Sequence, residues 1–300
     1  MKVSTLSGTT AASIYPLNNQ YNNGAGDQST YNMPLGVAVN SQGVVYAIDG
    51  FVPVVRKIMP DGTTSKFVGD ANFVMSTNYG SWEIGYVDGV SPKFSNLTAI
   101  AVDGQDNVYV MDYNRLRKIT PDGVVSSITT DQTLFKSAAG IVVDANGNVF
   151  VANTGGKNIK KVTPQGEVTV LATGFTQPKG IALDSQGNLI VADSSVVKKV
   201  TQAGVVTNFL TGFNQANGVG IDAVGNIYVA DSFNNVIKKH NSVGNLTATI
   251  GSGSPGYRDS STIFFWRLPS FYNPLGVCVD KTGIVYVADE YTQRIRKITA

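Results

Sequence analysis

The chain has 300 residues, with 23 Lys and Arg against 21 Asp and Glu and only 15% charged residues. A net charge of +2 is too mild to imply a nucleic-acid or membrane partner. Its one cysteine excludes an intrachain disulfide, and its one histidine excludes a three-histidine zinc site or a triad built around a spare histidine base.

Along the chain the first element is Lys2–Gly8 (KVSTLSG), a short strand preceded by no apolar stretch of the signal-peptide kind. From Pro34 a pattern begins that returns at Leu97, Ala138, Pro178, Ala216 and Pro274. Pro178–Lys199 shows it most plainly: an apolar run at Gly180–Asp184, a turn at Ser185–Asn188 and a second apolar run at Leu189–Ala192. Asp193 stops that run, and Val196–Val200 is a third strand. A fourth strand follows the turns Pro60-Asp61-Gly62, Pro121-Asp122-Gly123 and Pro164-Gln165-Gly166, where glycine supplies the positive φ of a hairpin. A repeat of about 40 residues is the size of one four-stranded propeller blade.

The second strands, such as Val108–Met111 and Ile227–Ala230, are continuous apolar runs, as expected where both faces of a sheet are covered. Third strands carry a basic pair in every copy, from Arg56/Lys57 to Arg296/Lys297, so these charges belong to the repeat and form no patch. Cys278 sits in an apolar strand and is expected to be a buried thiol. Helical periodicity is absent throughout, and no apolar run reaches the length of a membrane-spanning helix. The sixth copy reaches Thr299-Ala300 without a fourth strand, and Lys2–Gly8 resembles the fourth strands Glu167–Ala172 and Val205–Gly212. The N-terminal strand is therefore expected to complete the last blade and close the ring, which removes an exposed sheet edge.

The recurring motifs G-I-x-V/L-D-x-x-G-N-V/I/L-Y/F-V-A-D/N and I/V-R/K-K-I/V-T-P-x-G resemble those of the NHL-repeat family. This resemblance covers essentially the whole chain. It implies an all-β, six-bladed propeller of four-stranded antiparallel blades, occupying residues 1–300 as one domain. The blade copies lie near 34–69, 97–130, 138–173, 178–212, 216–251 and 274–300 plus 2–8. A fold of this kind does not fix a function.

Three consecutive junctions, Thr9–Met33, Gly69–Asn96 and Ser252–Asn273, are longer than a blade needs. They share Gly24…Asp27…Tyr31, Gly85…Asp88…Phe94 and Gly256…Asp259…Phe271, each aromatic lying three residues before the next copy, which points to packing across blade tops. The rest of each junction is peculiar to this chain and aromatic-rich. It holds Tyr21, Tyr79, Trp82, Phe265, Trp266 and Arg267, residue types that anchor partners and stack on sugars. The channel mouth is expected to be rimmed by Leu35, Thr98, Ala139, Lys179, Asn217 and Leu275, a mixed set with no nucleophile beside a base.

The closing residues Asp49, Asp112, Asn153, Asp193, Asp231 and Asp289 invite a metal reading. Repetition at blade after blade instead assigns them to hydrogen-bonding loop amides, and Asp103, Asp144, Asp184, Asp222 and Asp280 to the other turns. His240 stands where other copies have Ile or Val and is expected to be incidental. The expected function is therefore non-catalytic binding of a carbohydrate, small ligand or protein partner on the loop face over blades six, one and two, with Lys179 and Asn217 contributing from the channel. The chain is expected to be a monomer that requires no cofactor, does not bind nucleic acid, does not insert into a membrane, and works outside the cell, in the periplasm or at the cell surface, the cytoplasm staying open. The alternative is a calcium-assisted hydrolase or lactonase, or a lyase-like enzyme, with its site at the channel mouth and Asp289, Glu290 and Glu83 as the oxygen ligands.

Overall fold

The computed structural model describes residues 1–9, 22–50, 52–70, 84–260 and 268–300, together with the backbone of two strands at 73–76 and 79–82. After β1 (Lys2–Ser7) come β2 (Pro34–Val39), β3 (Val45–Asp49), β4 (Val54–Ile58) and β5 (Thr64–Gly69). A hairpin of β6 (Phe73–Ser76) and β7 (Tyr79–Trp82) lies within the next junction. The second copy is β8 (Leu97–Val102), β9 (Val108–Asp112), β10 (Arg115–Ile119) and β11 (Val125–Ser127). The third is β12 (Ala138–Val143), β13 (Val149–Asn153), β14 (Asn158–Val162) and β15 (Val168–Ala172). Next come β16 (Pro178–Leu183), β17 (Leu189–Val200), β18 (Val206–Ile221), β19 (Ile227–Asp231), β20 (Val236–His240) and β21 (Leu246–Ile250). The chain ends in β22 (Pro274–Val279), β23 (Val285–Asp289) and β24 (Arg294–Thr299).

The expectation of six separate four-stranded blades is corrected here. The propeller is built from five sheets, four with four strands and one with six, in the order β16-β17-β18-β19-β20-β21. The cause is local. In the fourth copy the second and third strands run as one uninterrupted element, β17, in which Ser194 adopts a left-handed φ of 61°, and Ser194 itself pairs with Ala216. The junction to the fifth copy has no insertion, so β18 runs unbroken from an outer position into the next inner one. Two sequence copies thereby share one hydrogen-bonded sheet.

Short, glycine-containing turns and apolar second strands shape each sheet. All five residues of β3, β9, β13, β19 and β23 are buried, since neighbouring sheets cover both of their faces. The innermost strands touch in a closed cycle, β2 to β8, β12, β16, β18, β22 and back to β2. Glycine makes this crowding possible. A Cβ on Gly140 would stand 2.1 Å from the Lys179 carbonyl oxygen, and one on Gly218 would stand 2.0 Å from that of Leu275. The helical elements among the described residues are single 3-10 turns at Thr154–Gly156 and Ser232–Asn234. Among the described residues no helix is long and apolar enough to cross a membrane.

The first and last copies meet at a seam. Strand β1 lies antiparallel to β24 at the outside of the sheet β1-β24-β23-β22, with Val3 and Leu6 buried. Ser7 Oγ lies 2.8 Å from Ser29 Oγ, 2.8 Å from Tyr31 Oη and 2.7 Å from Thr64 Oγ1, a buried hydroxyl cluster that ties β1 to the first copy. Leu6, Tyr31, Val37, Ile58, Tyr286 and Ile295 fill the seam with apolar contacts. Deleting residues 1–8 is therefore expected to cost about 3–6 kcal/mol, from two buried apolar side chains and a strand's hydrogen bonds. Urea unfolding of the truncated and full chains measures it, and equal midpoints would contradict the seam.

Candidate functional site

Each copy repeats one polar arrangement above its core. The closing acid or amide accepts hydrogen bonds from the junction backbone 16 or 17 residues earlier, as Asp112 does from Ser95 N at 2.8 Å and Asn96 N at 2.9 Å. Asp193 accepts from Gln177 N at 2.6 Å, Asp231 from Asn214 N at 2.7 Å and Asp289 from Tyr272 N at 2.8 Å. The first cation of the third-strand pair then closes on the acid, with Arg117–Asp112 and Arg296–Asp289 at 3.0 Å and Lys198–Asp193 and Lys238–Asp231 at 2.8 Å. An aromatic ring covers the same cation in every copy: Tyr31 under Arg56, Phe94 under Arg117, Phe135 under Lys160, Phe175 under Lys198, Phe213 under Lys238 and Phe271 under Arg296. The ring's face balances charge while its edges stay in the apolar core. Tyr31, Phe94 and Phe271 were expected to pack across blade tops. Their counterparts in the short junctions lie at the same three-residue offset and went unread.

The cation's identity follows the length of the junction. Arginine stands where the junction is long, and lysine where it is short. Arg117 reaches Asp112 with one terminal nitrogen and Asp88 of the junction, at 2.6 Å, with the other. Arg296 joins Asp289 and Asp259, the latter at 2.7 Å, in the same way. Lysine has a single ammonium and no second acid to serve, so it binds one carbonyl, as Lys198 does Gly174 and Lys238 Gly212. The described parts of the long junctions run to the outermost strand of the following copy: Gly24 pairs with Thr64, Gly89 with Val125, and Ser260 N donates to the Val3 carbonyl. Much of their extra length thus covers sheet edges.

The central channel opens as a cavity of about 620 Å³. Its wall includes Leu35, Thr98, Ala139, Lys179, Asn217 and Leu275, joined by Asn96, Tyr113, Asn114, Lys136 and Ser137 from the loop face. Asn217 is locked, its amide donating to Ser232 Oγ at 2.7 Å, and Ser232 donates on to the Pro274 carbonyl. Thr98 Oγ1 donates to the Ala138 carbonyl at 2.8 Å, tying adjacent inner strands together. Lys179 is half-buried, and burial holds its amine below the usual lysine range against the opposing pull of Glu290. Burial also raises Glu290, which accepts a hydrogen bond from the Asn273 side chain.

Of the other expected site residues, Tyr21, Phe265, Trp266, Arg267 and Glu83 lie outside the described residues. Tyr79 and Trp82 fall in β7, of which the structure describes only the backbone. Aromatics that the sequence reading missed stand on the loops after β9, β19 and β23. Tyr113 is 49% exposed, Phe233 62% and Tyr291 46%, with Tyr272 against Tyr291 edge-to-face at 4.9 Å. The available signal was position, since each loop aromatic follows a closing Asp by one or two residues.

Of the acids proposed for calcium, Glu83 lies outside the described residues and the other two already have partners within the fold. Asp289 is engaged by Tyr272 N and Arg296, and Glu290 by Asn273. Among the described residues no three His, Cys, Asp or Glu side chains gather as a metal would need. His240 is buried, its pKa lowered by burial and by Lys238, and its ring packs 5.8 Å from that of Phe213. Cys278 is half-buried rather than buried, its thiol raised by desolvation and by Asp280.

The molecule is a β-propeller, and a model of the NHL repeat matches residues 271–298, from the ring-bearing Phe271 through the third strand of the sixth copy. Human Teneurin-1 is 27% identical over 173 residues, a match that spans 50% of this chain and 6% of the teneurin. In three dimensions the chain is similar to an auxiliary nutrient binding protein from Bacteroides thetaiotaomicron VPI-5482, with a TM-score of 0.71 and 14% identity over 99% of this chain and 76% of that one. It is also similar to a gluconolactonase from Xanthomonas campestris, with a TM-score of 0.66 and 12% identity over 98% of this chain and 88% of the other. At such identities the likeness is one of fold.

Two outcomes are expected. Arg296→Lys loses one of two carboxylate partners in a fully buried position and costs about 1–3 kcal/mol, whereas Lys238→Arg finds no second acid and gains nothing, both read by chemical unfolding. EDTA is expected to leave the Tm unchanged and Ca²⁺ not to raise it, since a site present only in the native state would stabilise by mass action.

Proposed function

We propose that this chain is a non-catalytic binding propeller that takes a carbohydrate or similar small polar ligand at the channel mouth on the loop face. The observation that carries the reading is the 620 Å³ cavity with an exposed tyrosine, Tyr113, at its wall beside amide, hydroxyl and amine groups. Flat rings with neighbouring amides suit the alternating apolar and polar faces of a sugar. Phe233 and the Tyr272–Tyr291 pair extend the same surface over the fifth and sixth copies. The segments with Trp82 and Trp266 belong to the proposal as a second contact region over copies six, one and two. The nutrient-binding neighbour is consistent with a binding role, and with work outside the cytoplasm. We take the chain to act as a monomer without nucleic acid or cofactor.

A metal-assisted hydrolase is the second reading, favoured by the gluconolactonase likeness alone. It has less support, since Asp289 and Glu290 are already engaged within the fold.

A glycan array probed with the wild type and with Tyr113→Ala, Trp82→Ala and Trp266→Ala tests the proposal. Tyr113→Ala is expected to weaken retention at least about tenfold, the loss of one stacked ring, with no change in Tm. Retention that depends on Trp82 and Trp266 but not on Tyr113 moves the site to the junction sector. Retention of no glycan, or a loss that merely tracks unfolding, contradicts the proposal.

A further inference from the structure

The repeat provides its own internal control for the channel wall. At the rim position five copies carry Leu35, Thr98, Ala139, Asn217 and Leu275, all uncharged, and one carries Lys179. The fold therefore closes around neutral side chains at this place and has no structural need of an amine there. Six third-strand lysines, Lys118, Lys160, Lys198, Lys199, Lys238 and Lys239, each meet an acid, a carbonyl or a ring. Lys179 has no carboxylate within ion-pair distance among the described residues. The acid in its electrostatic reach, Glu290, is held by Asn273.

The cavity has one sign of charge. Lys136 and Lys179 are the charged residues among the described ones that line it, and no carboxylate shares that wall. A cation held partly out of water without a close counter-ion is a place where an incoming anion gains more than it would at an open surface. The polar groups around it can meet hydroxyls, since Asn96, Asn114 and Ser137 line the same wall, while Leu35 and Leu275 offer apolar surface for a sugar's C–H face.

We propose that the channel selects an acidic saccharide over its neutral counterpart, with the Lys179 ammonium meeting the ligand carboxylate and Lys136 adding charge at the entrance. This rests on the channel-mouth reading above and specifies its ligand class as a uronic acid or a glycan ending in one.

The test is calorimetric titration of the full chain with D-glucuronate and with D-glucose, which differ at C6. Wild type is expected to bind glucuronate about tenfold or more tighter than glucose, and the difference is expected to shrink as NaCl rises from about 0.05 M to about 0.5 M. Lys179→Met keeps the aliphatic stem and removes the charge. It is expected to abolish the preference, so that glucuronate and glucose bind alike, with Tm unchanged. Lys281→Met, the same charge change on an exposed turn away from the channel wall, is expected to keep the preference. Equal affinity for the two sugars in the wild type overturns the charge selection and leaves the channel reading standing. A preference that survives Lys179→Met overturns the role of that lysine. Binding of neither sugar overturns the proposal together with the reading it rests on.

Discussion

A cation held against an aromatic face in every copy, and closed by a carboxylate at Asp112, Asp193, Asp231 and Asp289, is the interaction on which the ring depends. Every junction must bring the chain from the outside of one sheet to the inside of the next, and its amides turn inward where water does not reach. The closing Asp or Asn accepts them, which places a carboxylate in the core. An uncompensated charge there would be prohibitive. The third-strand cation supplies the compensation, and the ring beneath it supplies a second negative surface while sealing the site. Removing any one of the three exposes the others to the cost of burial, so the arrangement is cooperative.

The channel follows from a different constraint. Glycine where inner strands meet lets carbonyl oxygens of the neighbouring strand approach closely. The neighbouring rim residue lines the cavity, held by hydrogen bonds at Thr98 and Asn217. Its chemistry varies from copy to copy, and Lys179 is the copy in which it departs from neutral character. Scaffold and site thus sit one residue apart along the same strand.

Much of the fold was legible because its signals recur in register. The closing Asp, the glycine turns and the basic pair mean little singly, but six occurrences at matching offsets leave few alternatives. Sheet continuity was not legible. Whether Ser194 pairs with Ala216 depends on how two copies meet in space, and nothing in DSSVVKK announces it. The Arg-or-Lys choice was visible in the sequence but lacked meaning until the second acid, Asp88 or Asp259, appeared beside it. The candidate site divides similarly. The rim could be placed from strand offsets, whereas Tyr113 and Tyr291 needed exposure to be distinguished from core aromatics, and the loop aromatics around Trp82 and Trp266 carry composition without geometry.

The six-stranded sheet has a consequence for how this molecule comes apart. Elsewhere neighbouring copies lie in separate sheets, and one can loosen without breaking a ladder of the next. Across the fourth and fifth copies β18 belongs to both, so opening either breaks bonds in the other, and the pair behaves as one cooperative unit. The seam lies at the opposite extreme, since a single terminal strand completes it. Native-state amide exchange should thus be graded around the ring, fast along β1 and β24 and slowest through β17 to β19. A propeller assembled from near-equivalent copies then has a preferred place to begin unfolding and a preferred remnant that persists.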